Sequence, residues 1–407
     1  MVGWRLAASA AVVAALAAVA LFRSSPPGGD GGPGASGSET VRLERGWPVM
    51  GTLLRASAAA PDSAAANRAL EAARSAVFRV DSLMSTYRDD SDLSRINAAA
   101  GSGRWVPVAA STARVLEAAL SWARISGGAF DPTAGPLASA WGFHRGEPAV
   151  PPPARSDSAA RLVGWRLVER DTAGRGVRLP RAGMRLDFGA IAKGWALDRA
   201  VRAMREAGAV GGTVDLGGNV SVFGRPPRAR DRWRLGIRHP RREGRLAGTL
   251  ALDSGSVATS GDSEQFVVED GTRYSHVMDP RTGRPARGVV QVTVTAARGI
   301  DADALSTALF VLGPEEGRAL LESPAVRRRA PRATAAWILD PGPGGAFGRA
   351  ELVCAGPQAG SVELWIGEAT AAGEGDGPER RAGEGRSRPA ADTLPGGCRT
   401  VPAAGGR

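Results

Sequence analysis

The sequence predicts an α+β fold, a single domain in which an antiparallel-rich sheet is packed with helices. Long stretches with apolar residues at helical spacing, such as residues 63–84, occur beside segments in which apolar residues alternate, such as Val290, Val292 and Val294. These segments do not follow one another in the regular strand–helix–strand repeats typical of parallel sheets. The 407 residues would fill one large domain or two ordinary ones. We expect one domain over residues 41–345.

The N-terminal segment predicts export. Residues 1–22 have a short basic start followed by 17 residues without a charge, which is typical of a signal peptide or an N-terminal membrane anchor. Ala18-Val19-Ala20 would allow cleavage, and no cysteine follows that could carry a lipid. Residues 23–40 are rich in Pro, Gly and Ser and predict a flexible linker. We therefore expect the protein at the periplasmic face of the inner membrane, either anchored or released.

The composition argues against several classes of function. The net charge of +11 comes from arginines scattered along the chain, and no basic run interleaves with aromatic residues. No zinc-finger or helix-turn-helix spacing is present, so we expect no binding of nucleic acid. The two cysteines, Cys354 and Cys398, could pair in an oxidising compartment, but they provide neither a disulfide framework nor a metal cluster.

The first third of the domain predicts an interrupted extended segment and two helices. An extended segment over Thr40–Ser57 is interrupted at Met50-Gly51-Thr52, and a helix follows over 63–84. A second helix is capped by Ser111 and ends at Gly127-Gly128. Two loop residues have alternative interpretations. Tyr87 would either cover the edge of the core or stack on a ligand, and Asp131 would either cap a turn or bind ligand hydroxyls or amines.

The stretch Leu186–Asp198 is the most informative part of the sequence. It begins as a strand, passes through a small-residue turn and continues as a helix, with Asp187 and Lys193 in the turn region. Lys193 is the only lysine among 52 Lys plus Arg residues. A lysine ammonium is compact whereas a guanidinium is a planar fork, so a site that contacts one oxygen at short range would favour lysine. The alternative is a solvated residue at the start of a helix.

The last part of the domain carries a candidate metal site and a candidate base. Asp303 and Thr307 lie four residues apart in a predicted helix over Asp301–Gly313, so their oxygens share one face and suit Mg²⁺ or Ca²⁺. The alternative is an acid that stabilises the helix N-terminus. His276 precedes a tight Asp-Pro-x-x-Gly turn, and Val257–Asp262 predicts a small-residue turn. Residues 346–407 predict a C-terminal extension that is largely a disordered tail.

Eight motifs, taken in order, resemble the ApbE family, the FAD:protein FMN transferases. They cover about residues 41–340 and predict a single ApbE-like domain. Many relatives carry an N-terminal lipobox cysteine that this chain lacks. The motifs are MGT at 50–52, STYR at 85–88 with SDLSRIN at 91–97, GAFDPT at 128–133, LDFGAIAKG at 186–194, DLGGN at 215–219, VATSG at 257–261, SHVMDPRTGRP at 275–285 and ADALSTALFVLG at 302–313.

The resemblance implies a substrate, a metal and a set of site residues. The family binds FAD and a divalent metal, which we expect to be Mg²⁺. It transfers the FMN moiety to a Thr or Ser hydroxyl of an acceptor flavoprotein of an electron-transfer system, releasing AMP. Asp303, Thr307 and the backbone carbonyl of Ala190 would hold the metal, and His276 matches a proposed base for the incoming hydroxyl. The residues that would contact FAD are Met50, Tyr87, Ala129, Phe130, Asp131, Asp187, Lys193 and Met278.

These residue types suit the implied reaction, but they leave alternatives open. The metal and Lys193 would offset the charge of a pyrophosphate, and His276 would accept a proton. The same site with water in place of the target hydroxyl would be a metal-dependent FAD pyrophosphatase. A third alternative is an exported FAD-binding protein without catalysis, against which Asp303, Thr307 and Lys193 argue.

Overall fold

The computed structural model describes residues 40–227, 232–340, 352–357, 362–366, 392–393 and 399–402. The expected signal segment (1–22) and nearly all of the expected linker (23–40) lie outside these residues. Eight helices are described, together with one 3-10 turn at Trp165–Leu167. The helices are α1 (Ser63–Met84), α2 (Asp92–Ala98), α3 (Ala110–Ile125), α4 (Gly135–Ala140), α5 (Pro153–Ala160), α6 (Ala192–Glu206), α7 (Gly299–Glu322) and α8 (Pro324–Arg329).

The strands form one large sheet and four smaller ones. In chain order, they are β1 (Val41–Val49), β2 (Thr52–Ala60), β3 (Val106–Pro107), β4 (Glu169–Arg170), β5 (Gly176–Arg178), β6 (Gly211–Leu216), β7 (Asn219–Phe223), β8 (Trp233–Arg238), β9 (Leu246–Leu252), β10 (Gly255–Gly261), β11 (Phe266–Glu269), β12 (Thr272–Ser275), β13 (Met278–Asp279), β14 (Arg284–Pro285), β15 (Val289–Ala296), β16 (Thr334–Leu339), β17 (Leu352–Ala355), β18 (Val362–Ile366), β19 (Asp392–Thr393) and β20 (Arg399–Pro402).

The large sheet has eight strands in the order β1-β2-β6-β7-β10-β15-β16-β17, and every neighbouring pair in it is antiparallel. Helices α1, α6 and α7 pack beside its strands, and the main hydrophobic core contains residues of both. A second core joins the large sheet to β8 and β9 of a five-stranded sheet. Alternation of buried and exposed residues along β8 is what a strand with one covered face requires. The predicted α+β fold with an antiparallel-rich sheet is confirmed.

The first hairpin places the MGT motif at the end of the large sheet. Val49 pairs with Thr52, so Met50 and Gly51 form a two-residue turn, with φ angles of 52° and 67°. Positive φ at both central residues is the type I′ geometry that fits the twist of a hairpin. Gly217 in the β6–β7 turn donates its N–H to the Leu53 carbonyl at 3.3 Å, so the two turns lie side by side.

Helices α6 and α7 cross at very short range because glycines meet there. A Cβ atom on Gly194 would lie 2.1 Å from the Gly299 carbonyl oxygen, which no side chain tolerates. Asp198 of α6 accepts hydrogen bonds from the Gly299 and Ile300 N–H groups at 2.6 and 3.0 Å, and so caps α7. The helical segment predicted from Asp301 ends as expected at Gly313, whose φ of 72° and ψ of −175° are not helical.

Two regions differ from the sequence-based predictions. Val257–Gly261 is not a turn but most of β10, a central strand of the large sheet, because its small residues fit between β7 and β15. Within the extension expected to be largely disordered, the described residues include β17 to β20. The apolar residues of β17 and β18 extend two sheets, and β20 pairs in parallel with β18. None of the described helices has the length and hydrophobicity needed to cross a membrane.

One amide side chain connects two of the sequence motifs. Asn97, at the end of α2, donates Nδ2–H to the Leu186 carbonyl at 2.9 Å and accepts the Leu186 N–H through Oδ1 at 2.7 Å. Leu186 is 1% exposed, so its backbone groups have little access to water. This double hydrogen bond fixes the chain directly before Asp187 and the start of α6.

We predict that Asn97→Ala lowers the free energy of unfolding by about 2–4 kcal/mol, because two buried backbone groups lose their partner. Urea unfolding followed by circular dichroism measures this difference. Asn67→Ala is the matched control, since Asn67 lies on exposed α1 surface and bonds only an exposed Arg45 side chain in the described structure. Equal effects of the two substitutions would contradict the structural role of Asn97.

Candidate functional site

The carboxylate of Asp303 lies at the centre of the candidate site. It is 4% exposed and sits one helical turn into α7. Oδ2 accepts the N–H of Gly194 at 2.8 Å, and Oδ1 accepts Nδ2–H of Asn219 at 2.9 Å. Three separate elements therefore meet at one side chain, namely α7, the first turn of α6 and the β6–β7 turn.

Both groups that donate to Asp303 are neutral, which leaves its charge only partly compensated. Burial raises the pKa of Asp303, and the charge of Lys193 acts in the opposite direction. An ionised carboxylate in such a place is stabilised by a bound cation. Each of its oxygens has a further lone pair for that purpose.

The other two predicted metal ligands lie on neighbouring elements. Thr307, one turn after Asp303, has its hydroxyl 3.5 Å from Ser260 Oγ of β10. Ser260 also bonds Ser306, which in turn donates to the Asp303 carbonyl. Ala190 is in the turn just before α6. Among the described residues no three His, Cys, Asp or Glu side chains group as a metal site. A carboxylate, a hydroxyl and a backbone carbonyl are all hard oxygen donors, the ligand type that Mg²⁺ prefers.

Lys193 is at the start of α6, beside the predicted metal site. It is the second residue of α6, next to Gly194, whose N–H bonds Asp303. Its positive charge lowers the pKa of both Asp303 and His276. The side chain is partly exposed, as a group that contacts a substrate must be. Lys193 does lie at the start of a helix, as the alternative interpretation states, and its contact with a substrate stays a prediction.

His276 is held by a backbone carbonyl and an aromatic ring. Its Nδ1 is 3.1 Å from the carbonyl oxygen of Gln265, and the Phe143 ring meets it edge-on with centroids 6.3 Å apart. Burial lowers the pKa of His276, although the carboxylate of Glu264 opposes this shift. The imidazole is therefore neutral near pH 7, which is the state that accepts a proton.

Tyr87 and Asp187 form the more open side of the site. Tyr87 is 63% exposed, and its ring lies 5.1 Å from that of His144 and beneath the guanidinium of Arg145. Burial raises the pKa of Tyr87, and the nearby charge of Asp187 raises it further. The cleft beside Tyr87 has a volume of about 450 Å³, and its lining includes Phe143, Glu264 and Phe266. An exposed ring on an open cleft suits stacking on a planar ligand.

The side chains of the motif at 128–133 are hydrogen-bonded or buried within the protein, whereas the resemblance implies that they contact FAD. The carboxylate of Asp131 accepts hydrogen bonds from the N–H and hydroxyl of Thr133 and from the N–H of Trp165. Ala129 and Phe130 are buried, at 1% and 2% exposed, so a ligand would meet their backbone. The Asp131 side chain therefore caps a turn, which is one of its two sequence-based interpretations. A contact between Asp131 and FAD stays a prediction.

The remaining predicted contacts lie at the edges of the site. Met278 is 6% exposed and packs in a small cluster with Trp141 and Phe143. Met50 is at the tip of the β1–β2 hairpin, beside the β6–β7 turn that supplies Asn219 to Asp303. Motifs that are far apart in sequence therefore meet around the first turns of α6 and α7.

Comparison with known proteins agrees with this arrangement. The ApbE family model matches residues 50–329. The chain therefore belongs to the ApbE family. It is 40% identical over 294 residues to the FAD:protein FMN transferase of Treponema pallidum, covering 68% of this chain and 81% of that protein. It is 32% identical over 276 residues to that of Salmonella typhimurium, covering 66% and 78%.

Solved structures of the ApbE family show the same fold. The ApbE protein of Thermotoga maritima superposes with a TM-score of 0.66 at 33% identity, covering 75% of this chain and 96% of that one. The flavin transferase ApbE of Vibrio cholerae gives a TM-score of 0.66 at 28% identity, covering 78% and 97%. Both the family and the fold expected from the sequence are thereby confirmed.

Sequence reasoning missed several residues that organise this ApbE site. Asn219 bonds Asp303, Gln265 bonds His276, and Asn97 fixes the chain before Asp187. Asn97 and Asn219 each end a recognised motif, SDLSRIN and DLGGN, and that position was the available signal. The carbonyl of Gln265 carries no signal in the sequence, because any residue supplies a backbone oxygen.

Proposed function

We propose that this protein is a Mg²⁺-dependent FAD:protein FMN transferase that links FMN to a Thr or Ser hydroxyl of an acceptor protein through a phosphoester bond and releases AMP. The observation that carries the proposal is the buried Asp303 carboxylate, whose donors are neutral and which accepts the N–H of Gly194, the residue after Lys193. The proposed base, His276, is held through Nδ1 by the Gln265 carbonyl. Charge stabilisation and proton transfer are the two contributions that phosphoryl transfer needs from a protein.

The named relatives support the flavin-transfer part of the proposal. Those from Treponema pallidum and Salmonella typhimurium carry the name FAD:protein FMN transferase. The chain spans 81% and 78% of their lengths. The hard oxygen donors of Asp303 and Thr307 support the metal. The phosphoester bond and the release of AMP are what the family resemblance implies.

Residues of this chain would bind FAD and Mg²⁺ as follows. Tyr87 stacks on a ring of FAD, and the backbone at Ala129 and Phe130 borders the ligand together with Met50 and Met278. Lys193 contacts a pyrophosphate oxygen. Asp303, Thr307 and the Ala190 carbonyl hold Mg²⁺, which when bound offsets pyrophosphate charge.

His276 would act on the acceptor. The acceptor hydroxyl oxygen forms a bond to the FMN phosphorus while the bond from that phosphorus to the bridging oxygen breaks. AMP leaves with the bridging oxygen, and the hydroxyl proton passes to Nε2 of His276. The Gln265 carbonyl engages Nδ1, so Nε2 is the nitrogen left for this step.

The acceptor and the location follow from the sequence and remain proposals. We propose a flavoprotein of an electron-transfer system as acceptor, and export to the periplasmic face of the inner membrane. The supporting observations are the apolar segment within residues 1–22 and the disulfide formed by Cys354, a bond that persists in oxidising compartments.

The proposal predicts metal-dependent flavin transfer. Purified protein mixed with FAD, Mg²⁺ and an acceptor flavoprotein should increase the acceptor's mass by one FMN and release AMP in equal amount. EDTA should stop the reaction and excess Mg²⁺ should restore it. Asp303→Asn should lower the rate on the order of 10²-fold or more, because several kcal/mol of charge stabilisation is lost.

Asp253→Asn is the control for the metal experiment, since Asp253 is a surface carboxylate with 71% exposure. AMP and free FMN formed at the same rate with and without acceptor would instead identify a pyrophosphatase. FAD binding without any turnover would identify a binding protein.

A second prediction concerns the single lysine. Lys193→Arg should fold normally and lose about 10²-fold in transfer rate, because the larger guanidinium displaces the pyrophosphate by about 1 Å. Transfer rates at saturating FAD measure the effect. Arg245→Lys, at an exposed residue between β8 and β9, should be near neutral. Wild-type turnover by Lys193→Arg would show that position 193 needs only a positive charge.

A third prediction concerns the base. His276→Ala should slow transfer by about 10²- to 10⁴-fold and leave FAD affinity largely unchanged, because the imidazole acts on the acceptor hydroxyl. In the wild type, the acid limb of kcat should have its midpoint below pH 6.5, since the pKa of His276 is lowered from that value and the neutral form is the active one. Loss of FAD binding with an unchanged rate at saturation would make His276 a binding residue.

A further inference from the structure

One carbonyl oxygen contacts both the backbone N–H and the imidazole ring of His276. The Gln265 carbonyl lies 3.0 Å from the His276 backbone N and 3.1 Å from its Nδ1. A carbonyl oxygen only accepts, so Nδ1 carries the proton in this hydrogen bond and Nε2 keeps its lone pair. The position of this carbonyl therefore decides which ring nitrogen is able to act as a base.

The Gln265 carbonyl belongs to a short turn between β10 and β11, and that turn is anchored at its first residue. Asp262 is 8% exposed, and its N–H bonds the Val290 carbonyl of β15 at 3.0 Å. Its carboxylate accepts two parallel hydrogen bonds from Arg241, at 2.5 and 2.6 Å. A bidentate arginine–carboxylate pair fixes orientation as well as distance.

Arg241 comes from the β8–β9 connection, 21 residues before Asp262. That connection is itself ordered, because Nδ1 of His239 accepts the N–H groups of Arg241 and Arg242, each at 3.1 Å. The Arg241 side chain is 26% exposed, so the ion pair is well screened from water. None of the eight motifs of the family resemblance includes this arginine.

We propose that the Arg241–Asp262 ion pair positions the turn at 262–265 so that the Gln265 carbonyl holds His276 as the Nδ1–H tautomer, with Nε2 facing the acceptor hydroxyl. Arg241 and Asp262 are positioning residues that act through His276. The catalytic consequence rests on the proposed function, whereas the tautomer is a property of the protein alone.

The tautomer is measurable directly because the chain has only three histidines, His144, His239 and His276. Long-range ¹H–¹⁵N spectra of ¹⁵N-histidine-labelled protein report which ring nitrogen is protonated, and His276→Ala assigns the signal. Wild type should show His276 as the Nδ1–H tautomer. In Arg241→Met the signal should move toward the tautomer mixture of free imidazole, while Arg245→Met, in the same connection, should leave it unchanged.

Kinetics test the catalytic consequence. Arg241→Met should lower kcat for FMN transfer about tenfold and change KM for FAD by less than about twofold, since the base is misplaced and not removed. In the His276→Ala background the same substitution should have no further effect, because Arg241 acts through that ring. Arg241→Lys, which keeps the charge but not the paired geometry, should fall between wild type and Arg241→Met.

Either of two results would overturn the proposal: an unchanged His276 tautomer in Arg241→Met, or an undiminished effect of that substitution in the His276→Ala background. If Arg241→Met fails to fold, Arg241→Lys and Asp262→Asn provide the same comparison. Absence of transfer by the wild type would reject the proposed function and leave the tautomer result standing.

Discussion

The hydrogen bonding of one buried carboxylate organises this structure. Asp303 is reached by the backbone of α6 through Gly194 and by the β6–β7 turn through Asn219. The contact from Gly194 requires a close approach that a larger residue would prevent, because α6 and α7 cross at Gly194 and Gly299. Hydrogen bonds to this one buried carboxylate thus connect α7, α6 and the sheet, since a carboxylate with little access to water needs protein donors.

The contrast between Asp301 and Asp303 shows how environment separates a structural acid from a chemical one. Asp301, 1% exposed, accepts hydrogen bonds from Arg298, Arg329 and Trp122, so its charge is fully paired. Asp303, two residues later on the same helix, has only neutral donors. The first carboxylate anchors α7 to α3 and α8. Burial raises the pKa of the second, and a bound cation would stabilise its ionised form.

The sequence predicted many of the elements and a set of candidate site residues, but not the hydrogen bonds that connect them. Periodicity predicted α1 and the first half of α7 because their buried faces repeat at helical spacing. It missed β10, since small residues carry no alternation, and it missed β18 and β20 in a tail rich in Gly, Ala and Pro. Asn97, Asn219 and Gln265 act through amide or backbone groups that pair across long sequence distances, which single-sequence patterns do not encode.

The single lysine becomes understandable when set beside the arginines of the same chain. Arg241 binds the buried Asp262 carboxylate through two parallel hydrogen bonds, and Arg298 and Arg329 each donate to the buried Asp301. The guanidinium fork suits such contacts with a carboxylate, whereas a lysine ammonium is a compact point charge. A lysine at position 193 therefore supplies positive charge beside the helix turn that bonds Asp303 without presenting that fork. This residue type matches a carboxylate whose donors, Gly194 and Asn219, are both neutral.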